Sequence, residues 1–142
     1  MNEAAQRRGR QKARKAALQA LYGMDLENDW NAARFSQSLE AQDPPLPVDA
    51  VEFALRLYET IQQHRTQLDA WIDTTNPKWS LERLGILERN ILRLAGAELR
   101  YLDTPRLVCI AEGVRLAELF TNEDAVAMVH AALDNMQLPA SA

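Results

Sequence analysis

Leu87-Glu88-Arg89-Asn90-Ile91-Leu92-Arg93-Leu94-Ala95-Gly96-Ala97-Glu98-Leu99 is the stretch that decides the fold. Leu87, Ile91, Leu94, Ala95 and Leu99 recur at helical spacing and share one broad face, which Leu92 and Leu102 widen. A helix this apolar belongs at the centre of a bundle, because a surface helix keeps a polar side. The remaining chain must then supply amphipathic helices to cover it.

Both flanks do so. Downstream, Thr104-Pro105 pairs a capping residue with a proline suited to the first helical position, and a helix is expected to about Phe120. Asn122-Glu123-Asp124 opens the last helix with two carboxylates in its favourable first turn, and Val126, Val129, Leu133 and Met136 form its stripe. Gln137 to Ala142 reads as frayed. Upstream, Asn76-Pro77 ends one region, and Ser80 is placed to cap a short turn over Leu81 to Leu84. Pro47 suits the start of a long helix, with Asp49 and Glu52 near its positive end. Val48, Val51, Leu55, Tyr58, Ile61, Leu68, Trp71 and Ile72 carry its stripe to Thr74, with a bend marked at His64-Arg65-Thr66. Asp43-Pro44-Pro45-Leu46-Pro47 is a hard break, read as a loop within one domain because too little chain precedes it to fold alone. Trp30 to Leu39 is a short helix. Before it, Ala13, Ala17, Ala20, Leu21 and Met24 give the first helix its buried stripe, Gly23 weakens its end, and Asp25 to Asp29 reads as a turn.

The composition agrees. With 142 residues, 47% of them hydrophobic, the chain suits a single domain over residues 1–142, and five Gly with six Pro leave few turns for a many-stranded sheet. The expected class is all-α, a bundle of about seven helices.

The charge is unevenly placed. Residues 1–15 hold Arg7, Arg8, Arg10, Lys12, Arg14 and Lys15 against the single acid Glu3, a formal +5. Residues 16–142 hold ten basic and nineteen acidic residues, or −9. A basic arm over residues 1–12, its order left open by the sequence, thus runs into the first helix of an acidic body. Such an arm either solubilises or binds a polyanion such as RNA or DNA. Its cations are unmixed with acid and lead into Gln19 and Tyr22, which suits amide and stacking contacts to unpaired bases, although Tyr22 equally suits plain packing. Arg7, Arg14 and Lys15 avoid the apolar stripe, so the first helix is expected to bury one face and display positive charge on the other.

Catalytic chemistry is not signalled. There is no Gly-rich phosphate loop, no paired-Cys zinc spacing and no His-x-x-x-His, so no metal or cofactor is expected. Glu82 and Glu88 carry no specific signal as a carboxylate pair. Cys109, the sole cysteine, lies in the apolar run Leu107 to Ile110 and reads as a buried structural thiol. His64 and His130 are lone histidines. No stretch approaches 18 apolar residues and no apolar segment follows the basic start, so neither a membrane span nor a secretory signal is expected, and a cytoplasmic location follows.

Three segments carry a family likeness. Arg14-Lys15-Ala16-Ala17-Leu18-Gln19-Ala20-Leu21-Tyr22 resembles the opening helix of the NusB family of transcription antitermination factors. Trp79 to Leu84, then Leu87 to Ala95 with Glu98-Leu99, is similar to its middle segment, and Thr104-Pro105 through Asp124 to its next one. The resemblance implies an all-α fold of two packed helical sub-bundles and no enzymatic activity. It implies binding of single-stranded boxA RNA through the arm and first helix, at Arg7, Arg8, Arg10, Lys12, Arg14 and Gln19, and the charge and ring already noted add Lys15 and Tyr22 to the expected RNA-binding set. It also implies the ribosomal protein NusE as partner, with Glu82 and Glu88 matching acidic positions near the partner and the RNA. The complex would load on RNA polymerase and suppress termination during rRNA synthesis. Some such relatives dimerise through the RNA-binding region, which makes a homodimer an expectation by analogy.

The chain also departs from the family. Ala111 and Glu118 replace a usual Asn and Lys, and Met128-Val129-His130-Ala131 stands where Phe-Val-Asn-Gly is usual. No basic residue follows Arg115. A protein–protein adaptor of this fold with weak or no RNA binding is therefore the second reading. The NusB-like domain of some rRNA cytosine methyltransferases is a third relative, but the chain carries no βαβ segment for S-adenosylmethionine.

Overall fold

The computed structural model describes residues 2–138. Six α-helices follow in order: α1 (Glu3–Glu27), α2 (Ala32–Glu40), α3 (Val48–Thr75), α4 (Ile86–Tyr101), α5 (Arg106–Phe120) and α6 (Glu123–Asn135). A single 3-10 turn at Leu81–Arg83 is the seventh helical element, and no strand occurs among the described residues. Part of the tail expected to fray, residues 139–142, lies outside the described residues.

Helix α4 is the hub. All nine residues from Ile91 to Leu99 are buried, and α4 packs against α1, α3, α5 and α6. Helices α1, α2 and α3 form one packed group, α4, α5 and α6 the other, and α1 and α3 both dock on α4 to join them. The all-α class and the central position of the apolar run are as the periodicity predicts.

Several local expectations are corrected. The basic segment, whose order the sequence leaves open, is helical: Asn2 caps it, its Oδ1 accepting from the Ala5 N–H at 2.8 Å, and residues 3–12 form the first turns of α1. Nor does α1 end near Gly23. It continues to Glu27 and stops where Asn28 adopts left-handed φ of 52°. Residue 25 stays helical because its carboxylate is held from α4, as described below. The bend at residues 64–66 is absent. His64 stacks on Tyr101 at 4.0 Å and Arg65 lies over the Trp30 ring at 4.1 Å, so both side chains are anchored without loss of helical backbone bonds. Ser80 makes no capping bond; Asp73 Oδ1 accepts from the Leu81 N–H instead, at 2.8 Å. Thr104 does not cap α5 with its hydroxyl, which donates to Glu98 Oε1 at 2.9 Å, and Pro105 occupies the cap position before Arg106. The last helix starts where the sequence places it, and there Asn122 caps α6, its Oδ1 accepting from the Ala125 N–H at 2.9 Å.

Polar groups inside α4 need partners, because an unpaired buried charge is strongly destabilising. Asp25 of α1 supplies one set. Its carboxylate accepts two bonds from Arg89 (2.6 and 2.7 Å), one from Asn90 (2.9 Å) and one from Arg93 (3.0 Å). Arg93 also forks onto Asp69 of α3 at 2.9 and 3.0 Å. The network crosses α1, α3 and α4. Burial raises the Asp25 pKa, but the bonds from Arg89 and Asn90 and the charges of Arg93 and Arg89 outweigh it, and the net pKa is lowered.

Close approach to α4 is set by Gly96. A Cβ there would meet Met136 Cε at 3.0 Å, Leu68 Cδ1 at 3.1 Å and Trp71 Cζ3 at 3.3 Å, from α3 and the end of α6. Gly96→Val is expected to cost about 1–3 kcal/mol through overpacking, read as a lower urea midpoint. A lowered native pKa means that Asp25 adds stability above its unfolded value and loses it as pH falls below that value. The stability gap between wild type and Asp25→Asn should be full at neutral pH and shrink below about pH 4, the ordinary carboxylate range; a gap that stays constant from pH 7 to 3 would contradict the network.

Candidate nucleic-acid interface

The orientation of α1 decides which of its charges reach solvent. Its Ala13, Ala16, Ala17, Leu18, Ala20, Leu21 and Met24 are buried. On the opposite side, Arg8, Lys12, Lys15, Gln19, Tyr22 and Leu26 follow at alternating steps of four and three, and all six are exposed. They form one stripe about 27 Å long at 1.5 Å per residue. Arg7 and Arg10 are exposed beside its N-terminal end. Among the described residues, no carboxylate stands within salt-bridge reach of Arg7, Arg8, Arg10, Lys12 or Lys15. Five cations thus stand unneutralised at one end of an acidic body.

Arg14 is the correction. It was expected on the displayed face, and it is 4% exposed. Its Nε and Nη2 donate to Glu98 Oε2 and Oε1 at 2.7 and 2.8 Å, in a planar bidentate pair. Glu112 of α5 lies 3.8 Å from Arg14 Nη1, and Gln11 Nε2 donates to Glu112 Oε1 at 2.9 Å. Burial lowers the Arg14 pKa, but the bond and charge of Glu98, with Glu112, raise it on balance, so the guanidinium is charged at any working pH. Its charge is spent inside the protein, tying α1 to α4 and α5. Helical spacing could not show this, because it marks the apolar face and is silent on a partner 84 residues away. The clue lay in α4, where Glu98 sits within an apolar run and demands a cation.

The other predicted residues fall as follows. Gln19 Oε1 accepts from Gln42 Nε2 at 3.1 Å, and Tyr22 is 39% exposed, so its ring is open on the stripe and not simple core. Glu82 is exposed on the 3-10 turn. Glu88 is half-buried in the first turn of α4, its carboxylate folded back over Gly85. Glu82 lies by Arg89, which pairs with Asp25, so it adjoins the far end of α1 from the arginines. The structure does not gather them with the cationic cluster. Cys109 is buried, its thiol donating to the Thr104 carbonyl oxygen at 3.6 Å. Burial first, then the nearby Glu98, push its pKa up to about 12.

Two features escaped the sequence reading. Phe53 of α3 lies beneath two guanidinium groups, Arg10 at 5.3 Å and Arg14 at 5.4 Å from its ring centroid. A cleft of about 520 Å³ opens between the first turns of α1 and α3, with Phe53 and Gly9 in its lining. Spacing within one helix gives no sign of a gap between two. Of the departures from the family pattern, Ala111, Glu118, His130 and Ala131 are all exposed, and Met128 is half-buried. They alter the surface of α5 and α6, where Leu107, Val108 and Leu119 are also exposed, at 78%, 40% and 50%.

Among the described residues, no group of three or more His, Cys, Asp or Glu is placed to hold a metal ion, and no helix is long and apolar enough to cross a membrane. Fold and charge together define an all-α helical bundle with a cationic helix face that suits a polyanion. Residues 11–138 match the NusB family, and the chain belongs to that family. Similar proteins include the transcription antitermination protein NusB of Myxococcus xanthus (strain DK1622), 39% identical over 137 residues that cover 89% of this chain and 93% of that one. The protein of the same name from Anaeromyxobacter dehalogenans (strain 2CP-1 / ATCC BAA-258) is 35% identical over 130 residues, covering 89% of each. The structure of the antitermination factors NusB and NusE in complex with dsRNA contains a chain of similar fold, with a TM-score of 0.81 at 31% identity, covering 91% of this chain and 96% of that one. NusB of T. maritima gives 0.80 at 29% identity, covering 89% of each.

Removing Glu98 should strand a buried guanidinium. Glu98→Ala is expected to cost about 3–5 kcal/mol, and Arg14→Ala to be similarly harmful. A double-mutant cycle in urea should return a coupling energy that accounts for much of either loss; additive single effects would deny the pair its role.

Proposed function

We propose that this protein is a transcription antitermination factor that binds single-stranded boxA-type RNA through the exposed stripe of α1. It does so with the ribosomal protein NusE, within an RNA polymerase complex that suppresses termination during rRNA transcription. The observation that carries this reading is the set of five unpaired cations, Arg7, Arg8, Arg10, Lys12 and Lys15, leading along one helix into exposed Gln19 and Tyr22. Phosphate neutralisation supplies the affinity, and the amide and ring meet bases. Arg14 is left out of the contact set because its charge is already satisfied. Glu82 and Glu88 are assigned to the protein partner near the far end of α1. A homodimer through the α1 face would cover the same cations, so self-association and RNA binding would compete.

An adaptor role with little RNA affinity is the second reading. It is favoured by the exposed Leu107, Val108 and Leu119 on α5, which suit a protein surface better than a polyanion.

Gel shifts with a boxA-type RNA, with and without the ribosomal partner and at several salt concentrations, separate the two. Five contacts to single-stranded phosphates predict a slope of log K against log salt of about −3.5, at −0.7 per contact. Replacing Arg8, Lys12 and Lys15 together by Ala should flatten it by about 2. A slope unaffected by that change removes the α1 stripe from the mechanism, and partner capture without any RNA shift selects the adaptor.

A further inference from the structure

The cleft between α1 and α3 is a ligand-shaped feature that the stripe on α1 does not require. It exists because the α1 face that meets α3 ends in Ala5 and Gly9, residues too small to reach across. A Cβ on Gly9 would touch no atom within 4 Å. The α3 wall presents Phe53, half-buried with the Arg10 guanidinium over its ring. The rim carries both signs of charge. Arg8, Arg10, Lys12 and Arg56 are exposed along it, and so are Asp49 and Glu52. None of these six joins any ion pair among the described residues. Purely electrostatic capture of phosphate would gain nothing from two carboxylates beside the cations, since they weaken the field. Their presence suits a ligand with an anionic backbone and a hydrogen-bond-donating face. Arg8 and Lys12 belong both to the cleft rim and to the α1 stripe, so a strand lying on the stripe passes the cleft mouth.

We infer that the cleft seats one unpaired nucleotide of the RNA, its base packed by Phe53 and Arg10 and its donor edge read by Asp49 and Glu52. This rests on the proposal that α1 binds RNA. The carboxylates set the preference: guanine offers adjacent N1–H and N2–H donors to an acceptor-only group, whereas uracil offers a single N–H between two carbonyls. Guanine is therefore favoured over uracil at this position. The cations of the stripe bind any sequence, and the cleft adds base discrimination to them.

Gly9 allows the cleft to be filled without touching a charge. Gly9→Leu puts a side chain into open space on an already helical segment, and its urea midpoint should be no lower than that of wild type. The probes are a fluorescein-labelled oligouridylate, the same strand with one central guanosine, and a boxA-type RNA, titrated by anisotropy over a range of salt. Wild type should bind the guanosine strand more tightly than plain oligouridylate. Gly9→Leu should bring the two together, with a loss on the guanosine strand of about 5- to 150-fold, the range for a stacked base, and an unchanged salt slope. The Asp49→Asn, Glu52→Gln double variant should bind oligouridylate as well as wild type or better, having lost two negative charges, while losing the guanosine preference. Equal affinities of Gly9→Leu and wild type on every strand would overturn the cleft assignment and leave RNA binding by α1 intact, as would a salt slope that Gly9→Leu flattens. Loss of ribosomal-protein binding in Gly9→Leu with RNA affinity unchanged would overturn it in favour of a peptide occupant. A wild type that binds no RNA would overturn both the cleft and the function on which it rests.

Discussion

Helix α4 is buried along ten consecutive residues, from Asn90 to Leu99, and yet contains Arg93 and Glu98, and most of the architecture follows from that conflict. A charge in such a place must be met by a partner with good geometry. Helix α1 supplies a partner to each, and Asp69 of α3 supplies a second to Arg93. Arg14 meets Glu98 and Asp25 meets Arg89 and Arg93, so the two helices run antiparallel and are clamped near both ends of their contact. Arg14 and Asp25 are eleven residues apart, about three helical turns, and so share one side of α1. The clamps fix the rotation of α1 as well as its position.

That rotation links stability to function. With the clamped side turned inward, Arg8, Lys12, Lys15, Gln19 and Tyr22 must emerge together on the outer side. The cationic stripe is thus a consequence of core electrostatics and needs no machinery of its own. The Arg14 pair reaches further, since Gln11 and Glu112 extend it to α5. Through that contact the charged helix is coupled to α5, which with α6 carries the positions expected to depart from the family pattern. Of those positions, Met128 is half-buried and packs against the core.

Much of the fold was readable beforehand because period and punctuation are local. The run at Leu87 to Leu99 marked the central helix, Asn122-Glu123-Asp124 marked the start of α6, and the prolines at 44, 45 and 47 marked the break before α3. The failures were equally physical. Gly23 and the polar residues after it looked like a helix end, but an ion pair from α4 held Asp25 in the helix. His64-Arg65-Thr66 looked like a bend, but a stacked Tyr101 and a Trp30 ring kept it straight. Thr104 looked like a cap, but Glu98 took its hydroxyl.

Charge content and apolar spacing along the chain determined the all-α class, the central helix and the gathering of cations at the N-terminal end, because each depends on neighbours a few residues apart. The family likeness was legible for the same reason, in short runs of adjacent residues. Only the tertiary structure decided that Arg14 belongs to the interior while Arg8, Lys12 and Lys15 face water, since that choice is made by Glu98, 84 residues away. It alone showed the cleft beside Phe53, because empty space between two helices is a property of their packing and has no symbol in either one.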